Sequence, residues 1–143
     1  MNIAIVGCGL IGKKRLDTIG NHALLYAVDP DLKRAESLCI ARNQGTPVYD
    51  YTEIMKDPAL DLVIVATTND ILPRVAILAL EHNKHVLIEK PGGRTPQDIE
   101  NIIAVRKKSS GFVPPLWAGE CYLSVYHIPR PGSRDFLGNR VRE

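Results

Sequence analysis

No stretch of this chain is apolar for the ~20 residues that a membrane-spanning helix needs, and neither sign of charge is in large excess. Lys and Arg number 18 against 16 Asp and Glu, a formal charge of +2. The first absence excludes a membrane span, and the second leaves no basic footprint for nucleic acid. Cysteine is sparse: Cys8, Cys39 and Cys121 are an odd set with no C-x-x-C spacing. That pattern fits a reducing, cytoplasmic compartment better than a disulfide framework, and no metal site is expected. Met1-Asn2-Ile3 opens the chain without a basic n-region or a small-residue cleavage site, so no secretory signal is expected. Internal repeats and low-complexity tracts are also missing. What is present is a globular balance, 45% hydrophobic against 24% charged. It argues against disorder and against a fibrous chain, at a length suited to one domain with its own core.

Over the first ~110 residues, short apolar runs alternate with helical patterns. Strands are expected at residues 2–6, 23–28, 46–49, 62–66 and 85–88. Helices are expected at 10–19, 31–42, 70–82 and 95–108, with a short helical turn at 51–55. Leu10, Ile11, Leu16 and Ile19 share one face of the first helix. Leu32, Ala35, Leu38 and Cys39 line the second, and Ile71, Leu72, Val75 and Leu78 the third. Pro73 falls in a first helical turn, where its missing N–H is tolerated. Thr95-Pro96 with Asp98 makes a helix start. Unbroken Val/Ile/Leu strands are buried on both faces, and strands separated by helices need crossover connections. The expected fold is therefore an α/β, Rossmann-type, doubly wound parallel sheet in the order 3-2-1-4-5, with residues 112–118 as an optional sixth strand. Pro114-Pro115 argues against a central position for that strand. The domain is expected to span residues 1–110, and 111–143 to form an irregular tail with Pro114, Pro115, Pro129, Pro131 and the basic Arg130, Arg134, Arg140 and Arg142.

Gly7-Cys8-Gly9-Leu10-Ile11-Gly12 fits G-x-G-x-x-G directly after a strand and at the opening of a helix, the context in which the pattern signals a dinucleotide. Gly7 permits the tight turn, Gly9 lets backbone approach a pyrophosphate, and Gly12 allows close packing of helix on strand. The free N–H groups and positive end of the helix then face the anion. A glycine turn with no ligand is the alternative. A Walker loop would need a hydroxyl after Gly12-Lys13, and Lys14 stands there; a kinase loop would need a lysine strand and a catalytic loop, and neither follows. Asp29 ends the second strand 17 residues after Gly12, close to the ~20 expected of an acid that binds the ribose hydroxyls and repels a 2′-phosphate. NAD is accordingly favoured over NADP. Asp29 as a helix N-cap is the alternative. Thr67-Thr68-Asn69 ends the most hydrophobic strand, at the sheet edge where ligands lie. These side chains are candidates for the ribose or nicotinamide, or else for capping the next helix. Lys90, in Glu89-Lys90-Pro91 at the end of the fifth strand, is placed to hydrogen-bond a substrate hydroxyl and stabilise charge as its proton leaves. A surface lysine in a turn is the alternative.

Taken together, the glycine loop, Asp29, Ala66-Thr67-Thr68-Asn69 and His85-Val86-Leu87-Ile88-Glu89-Lys90-Pro91 resemble the Gfo/Idh/MocA (glucose–fructose oxidoreductase / inositol dehydrogenase) family over about residues 1–110. The resemblance implies an NAD(P)-dependent oxidoreductase that transfers hydride to or from a sugar or polyol hydroxyl carbon. It implies Gly7, Gly9, Leu10, Ile11, Gly12, Asp29, Thr67, Thr68, Asn69, Glu89 and Lys90 as cofactor-binding, Lys90 as catalytic, and a cis Lys90-Pro91 bond. Family members continue into a second α/β domain with the substrate pocket, a catalytic histidine and the oligomer interface. Here pattern is lost near Gly111, so a truncated or altered reading of a longer gene is expected. Self-association through uncovered apolar surface is expected with it. His127 lies in the irregular tail and is a poor substitute for the missing histidine. The alternative function is a dinucleotide-binding module without turnover, because substrate clefts usually lie between domains.

Overall fold

A computed structural model describes residues 1–111 and 113. The chain runs β1 (Asn2–Val6), α1 (Leu10–Thr18), β2 (Ala23–Val28), α2 (Leu32–Arg42), β3 (Thr46–Val48), a 3-10 turn (Tyr51–Glu53), β4 (Leu62–Val65), α3 (Leu72–Glu81), β5 (His85–Ile88) and α4 (Pro96–Arg106). All strand pairs are parallel, in the order β3-β2-β1-β4-β5. This is the expected doubly wound sheet. The expected sixth strand at 112–118, the remainder of the tail and His127 lie outside the described residues.

Alternation along the strands divides the core between the two faces, because successive side chains point to opposite sides. Ile3, Ile5, Leu62, Ile64 and Leu87 face one way and pack with Leu16 and Ile19 of the α1 segment and Ala35, Leu38 and Cys39 of α2. Ala4, Val6, Val63, Val65, Val86 and Ile88 face the other way and pack with Leu72, Val75, Ala76, Ala79 and Leu80 of α3 and Ile102 of α4. β1 and β4 are fully sandwiched, which is why their sequences read as unbroken apolar runs. Pro47 sits in β3 at the sheet's edge, where a missing donor costs least.

Local signals set the helix ends. Asp31 caps α2 by accepting from the Lys33 N–H, and Asn43 closes it at φ 51°. Thr95 and Asp98 form a reciprocal capping box at α4, satisfying two otherwise orphaned donors. At the N-terminal edge of the sheet, the Tyr26 hydroxyl donates to Asp57 Oδ2 (2.7 Å) and the buried Lys84 donates to the Asp57 carbonyl (2.6 Å). Among the described residues Lys84 is the buried lysine, and the Asp57 carbonyl gives its ammonium an acceptor there.

Three details depart from expectation. In α1, Leu16 is buried, as is Ile19 just beyond it, but Leu10 is 70% and Ile11 40% exposed. The helix's first turn extends past the sheet, and Gly12 takes the place against the strand. Leu32, at the first turn of α2, is likewise 43% exposed. α3 begins at Leu72, later than expected, and no side chain caps it. The Thr68 carbonyl accepts from both Ile71 and Leu72, so a backbone turn does the work expected of the Thr68 or Asn69 side chain.

Truncating Ile64, fully buried in β4, to alanine is expected to cost about 3 kcal/mol in urea unfolding. Ile40→Ala, at a side chain 78% exposed on α2, should change stability by less than about 0.5 kcal/mol.

Candidate functional site

Because every strand is parallel, every strand's carboxyl end lies on one edge. The glycine loop follows β1, Asp29 follows β2, Ala66-Thr67-Thr68-Asn69 follows β4 and Glu89-Lys90 follows β5. Backbone bonds carry the pairing past the strand ends: Gly7 N–H donates to Val28 O, Asp29 N–H to Val48 O, Ala66 N–H to Val6 O and Glu89 N–H to Val65 O. The four candidate segments are thereby locked side by side. The chain turns one way from β1 to β2 and the other way to β4, and ligands of open α/β sheets lie in the crevice at that switch.

The three glycines have different surroundings. Gly7 has φ +95°, and a Cβ there would lie 2.4 Å from the Ala66 carbonyl oxygen. A Cβ on Gly12 would lie 2.1 Å from Gly7 O, so α1 leaves the loop in direct backbone contact with it. At Gly9 a Cβ would meet nothing within 4 Å. No side chain caps α1, in contrast to α2 and α4. The first amides of α1 therefore keep the donors that helix starts leave unsatisfied, beside open space over Gly9. That combination is a cradle for an anion, and the residues present fit a dinucleotide pyrophosphate.

Asp29 is 7% exposed. One carboxylate oxygen accepts from Cys8 N–H (2.8 Å) and the other from Asp31 N–H (2.8 Å). The N-cap of α2 is Asp31, so the alternative role for Asp29 is overturned. Its carboxylate instead braces the glycine loop against the end of β2. Each carboxylate oxygen has a further lone pair to offer. Cys8, between them, is fully buried. Its thiol is pushed up to about 12 by burial, with the Asp29 charge adding to it, so the thiolate is scarce at neutral pH.

Thr67 is half-buried, and Thr68 and Asn69 are exposed at the end of β4. The Thr68 hydroxyl holds the Asp70 carboxyl below its ordinary range. Lys90 is exposed, and the Lys90-Pro91 bond is cis. Beside it, Glu89 pairs with Arg15 of α1, the two side chains 15% and 16% exposed. Sequence reasoning missed Arg15, which reads as part of a solvated Lys13-Lys14-Arg15 face; no local signal distinguishes it. It also missed Tyr49, one residue beyond β3 at the same edge and 60% exposed. The described histidines lie elsewhere. His22 Nδ1 is 3.2 Å from the N-terminal amine, and His82 Nδ1 is 2.9 Å from Leu78 O. His85 opens β5 at the opposite edge, and burial holds its pKa down. Among the described residues no three His, Cys, Asp or Glu side chains gather as a metal site would require. No helix there is long and apolar enough to cross a membrane.

A model of the GFO_IDH_MocA family, described as an oxidoreductase family with an NAD-binding Rossmann fold, matches residues 1–114. Inositol 2-dehydrogenase of Salmonella typhimurium is 28% identical over 114 residues, covering 76% of this chain and 34% of its own length. Trans-1,2-dihydrobenzene-1,2-diol dehydrogenase of Xenopus laevis is 26% identical over 93 residues, covering 65% and 28%. The scyllo-inositol 2-dehydrogenase (NADP(+)) of Bacillus subtilis is 26% identical over 110 residues, covering 75% and 34%. Among solved structures, myo-inositol dehydrogenase of Lactobacillus casei, in complex with NAD(H) and myo-inositol, superposes with a TM-score of 0.72 at 23% identity, covering 80% of this chain and 36% of that one. The chain thus spans about a third of the length of the curated relatives it matches.

Gly9→Ala is expected to keep the melting temperature of the parent while weakening NADH binding about tenfold or more, as the new methyl fills the cradle. Gly12→Ala should lower the melting temperature itself. In the native protein at pH 8, iodoacetamide should leave Cys8 unmodified and label it only in denaturant; peptide mass mapping reads both states.

Proposed function

The chain belongs to the GFO_IDH_MocA oxidoreductase family, with its NAD-binding Rossmann fold, and from that premise we propose that residues 1–110 bind NAD(H) for hydride transfer to or from a hydroxyl-bearing carbon of a sugar or polyol. The observation that carries the proposal is the cradle: an uncapped helix start beside open space at Gly9, with Gly7 and Gly12 closed tight on either side. The pyrophosphate sits on the amides of Leu10, Ile11 and Gly12. The adenosine half runs toward β2, where Asp29 accepts from the ribose hydroxyls with the lone pairs its backbone contacts leave unused. Tyr49 flanks that side. The nicotinamide half runs toward the ends of β4 and β5, past Thr67, Thr68 and Asn69 to Glu89 and Lys90.

When bound, the nicotinamide ring supplies the hydride chemistry, and the protein binds and orients. The Lys90 ammonium is the group proposed to touch substrate. It hydrogen-bonds the reacting hydroxyl and stabilises the oxygen as its proton passes to water. The buried carboxylate of Asp29 disfavours a 2′-phosphate, which makes NAD the preferred coenzyme, although one relative is named for NADP(+). The sugar or polyol class rests on relatives named for inositols. A reducing, cytoplasmic setting is part of the proposal, supported by the free thiols of Cys8 and Cys39. Self-association belongs to it too, with Ile40 and Ile103 offering exposed apolar side chains.

A second reading, a dinucleotide-binding module without turnover, is favoured by the exposure of Lys90. Turnover needs interactions that strengthen in the transition state, and Lys90 is the one described residue to which the first reading assigns such a contact.

Titration of NADH fluorescence, followed by a polyol panel read at the nicotinamide absorbance, separates the two. Asp29→Ala should weaken NADH by roughly ten- to a hundredfold, the worth of a hydrogen bond to a charged group, and NADPH by less. An unchanged preference would remove Asp29 from the ribose site. Lys90→Ala should leave NADH affinity within about twofold and abolish turnover; loss of cofactor binding would make the lysine a cofactor contact instead.

A further inference from the structure

The ion pair between Arg15 Nε and Glu89 Oε1 joins residues 74 apart in sequence. Arg15 lies on α1, one turn beyond the open amides over Gly9, and Glu89 is the first residue past β5. Between β1 and β5 lies β4, so the pair spans the end of that strand and connects the two flanks of the crevice. Its character differs from that of Arg34 and Asp31. That pair is local to the start of α2, 3.3 Å apart and half or more exposed, at 61% and 50%. Arg15 and Glu89 are largely withdrawn from water, at 16% and 15%.

A pair this withdrawn from water gives back much of its Coulomb attraction as desolvation, so what it supplies is geometry more than stability. A planar guanidinium also fixes the direction of the carboxylate it holds, which an ammonium does not. The turn beyond Glu89 is held at its two ends and open between them. Glu89 N–H bonds to Val65 O, Lys90 and Pro91 are exposed, and Gly92 is buried again, with Gly93 packed so closely on Asp98 that a Cβ would come within 2.5 Å of it. The next side-chain anchor is the Asp98 carboxylate, which accepts from the Arg94 and Thr95 N–H groups.

We propose that Arg15 is a positioning residue: by holding Glu89 it sets the Glu89-Lys90-Pro91 turn against α1, and so places the surface that receives the nicotinamide half of the dinucleotide. The inference rests on the dinucleotide reading above. It adds that the two halves of the ligand are held by separable means. Asp29 and the glycine loop hold ADP-ribose without help from Arg15. The nicotinamide gains its share of affinity only when the turn is in place. The helix that carries the pyrophosphate amides thus also determines where the reactive end of the coenzyme lies.

The test compares NADH with ADP-ribose, which lacks only the nicotinamide. Both dissociation constants are measured by calorimetry at one salt concentration for the parent, Arg15→Gln, Arg15→Lys and Glu89→Gln. Arg15→Gln is expected to weaken NADH about tenfold, within the range of coupling between linked sites, and ADP-ribose by less than about twofold. Arg15→Lys should recover part of the loss, and Glu89→Gln should reproduce the ligand-selective pattern of Arg15→Gln. A role confined to general stability would weaken both ligands together, and that result overturns the proposal. So does an unchanged NADH constant in both charge-neutral variants. A parent chain that binds NADH no more tightly than ADP-ribose overturns the inference and leaves the dinucleotide reading standing. A parent that binds neither overturns both.

Discussion

The architecture depends on how closely α1 leaves the end of β1. At Gly12 the helix passes over the Gly7 carbonyl with no room for even a methyl group. Gly7 itself turns at a positive φ against the Ala66 backbone. Three chain segments (the loop, the helix start and the end of β4) therefore meet backbone to backbone. A side chain at either position would push α1 away from the sheet, with two consequences at once. Leu16 and Ile19 would lose their seat on Ile3 and Ile5, and the helix's free amides would no longer point over the crevice. Core packing and ligand geometry are thus the same constraint seen from two sides.

Parallel pairing multiplies that local constraint into a site. In a parallel sheet each strand must return through a crossover connection, so every strand ends on the same edge and every polar turn after a strand falls in one row. The row here holds a buried carboxylate, an uncapped helix, short hydroxyl and amide side chains and a lysine. Its electrostatics are arranged by the same elements. Asp29 puts negative charge next to the loop yet spends its bonds on the Cys8 and Asp31 amides, which keeps the carboxylate from competing for the α1 donors. Arg15 ties the Glu89 carboxylate to α1. Each negative group at the edge is tied down, and the helix amides and the lysine remain to meet an anionic ligand.

Much of this was legible in the residues. Five strands and four helices follow from short runs of strand length separated by helical periods, with burial on both faces leaving the central strands no polar positions, and the order 3-2-1-4-5 is the common one for such a doubly wound sheet. The glycine spacing, Asp29 and the Glu-Lys-Pro turn located the edge that carries the site. The first turns of α1 and α2 were misjudged by the same rule that read the rest: helical spacing assigns Leu10, Ile11 and Leu32 to a face, but not to a point along the sheet. Those turns overhang the edge, where nothing covers them. The start of α3 was misplaced for a related reason. Thr68 and Asn69 have capping side chains, yet a carbonyl filled the role.

The amino-acid order by itself determined the period of each element and the turn that only glycine allows, since these depend on neighbours within a few residues, and its spaced motifs carried the family. The tertiary structure alone decided that Asp29 braces the loop rather than caps a helix, and that Arg15 meets Glu89. Each of those depends on which distant segment arrives at a given place. Sequence spacing holds no record of that until the sheet has brought the segments together.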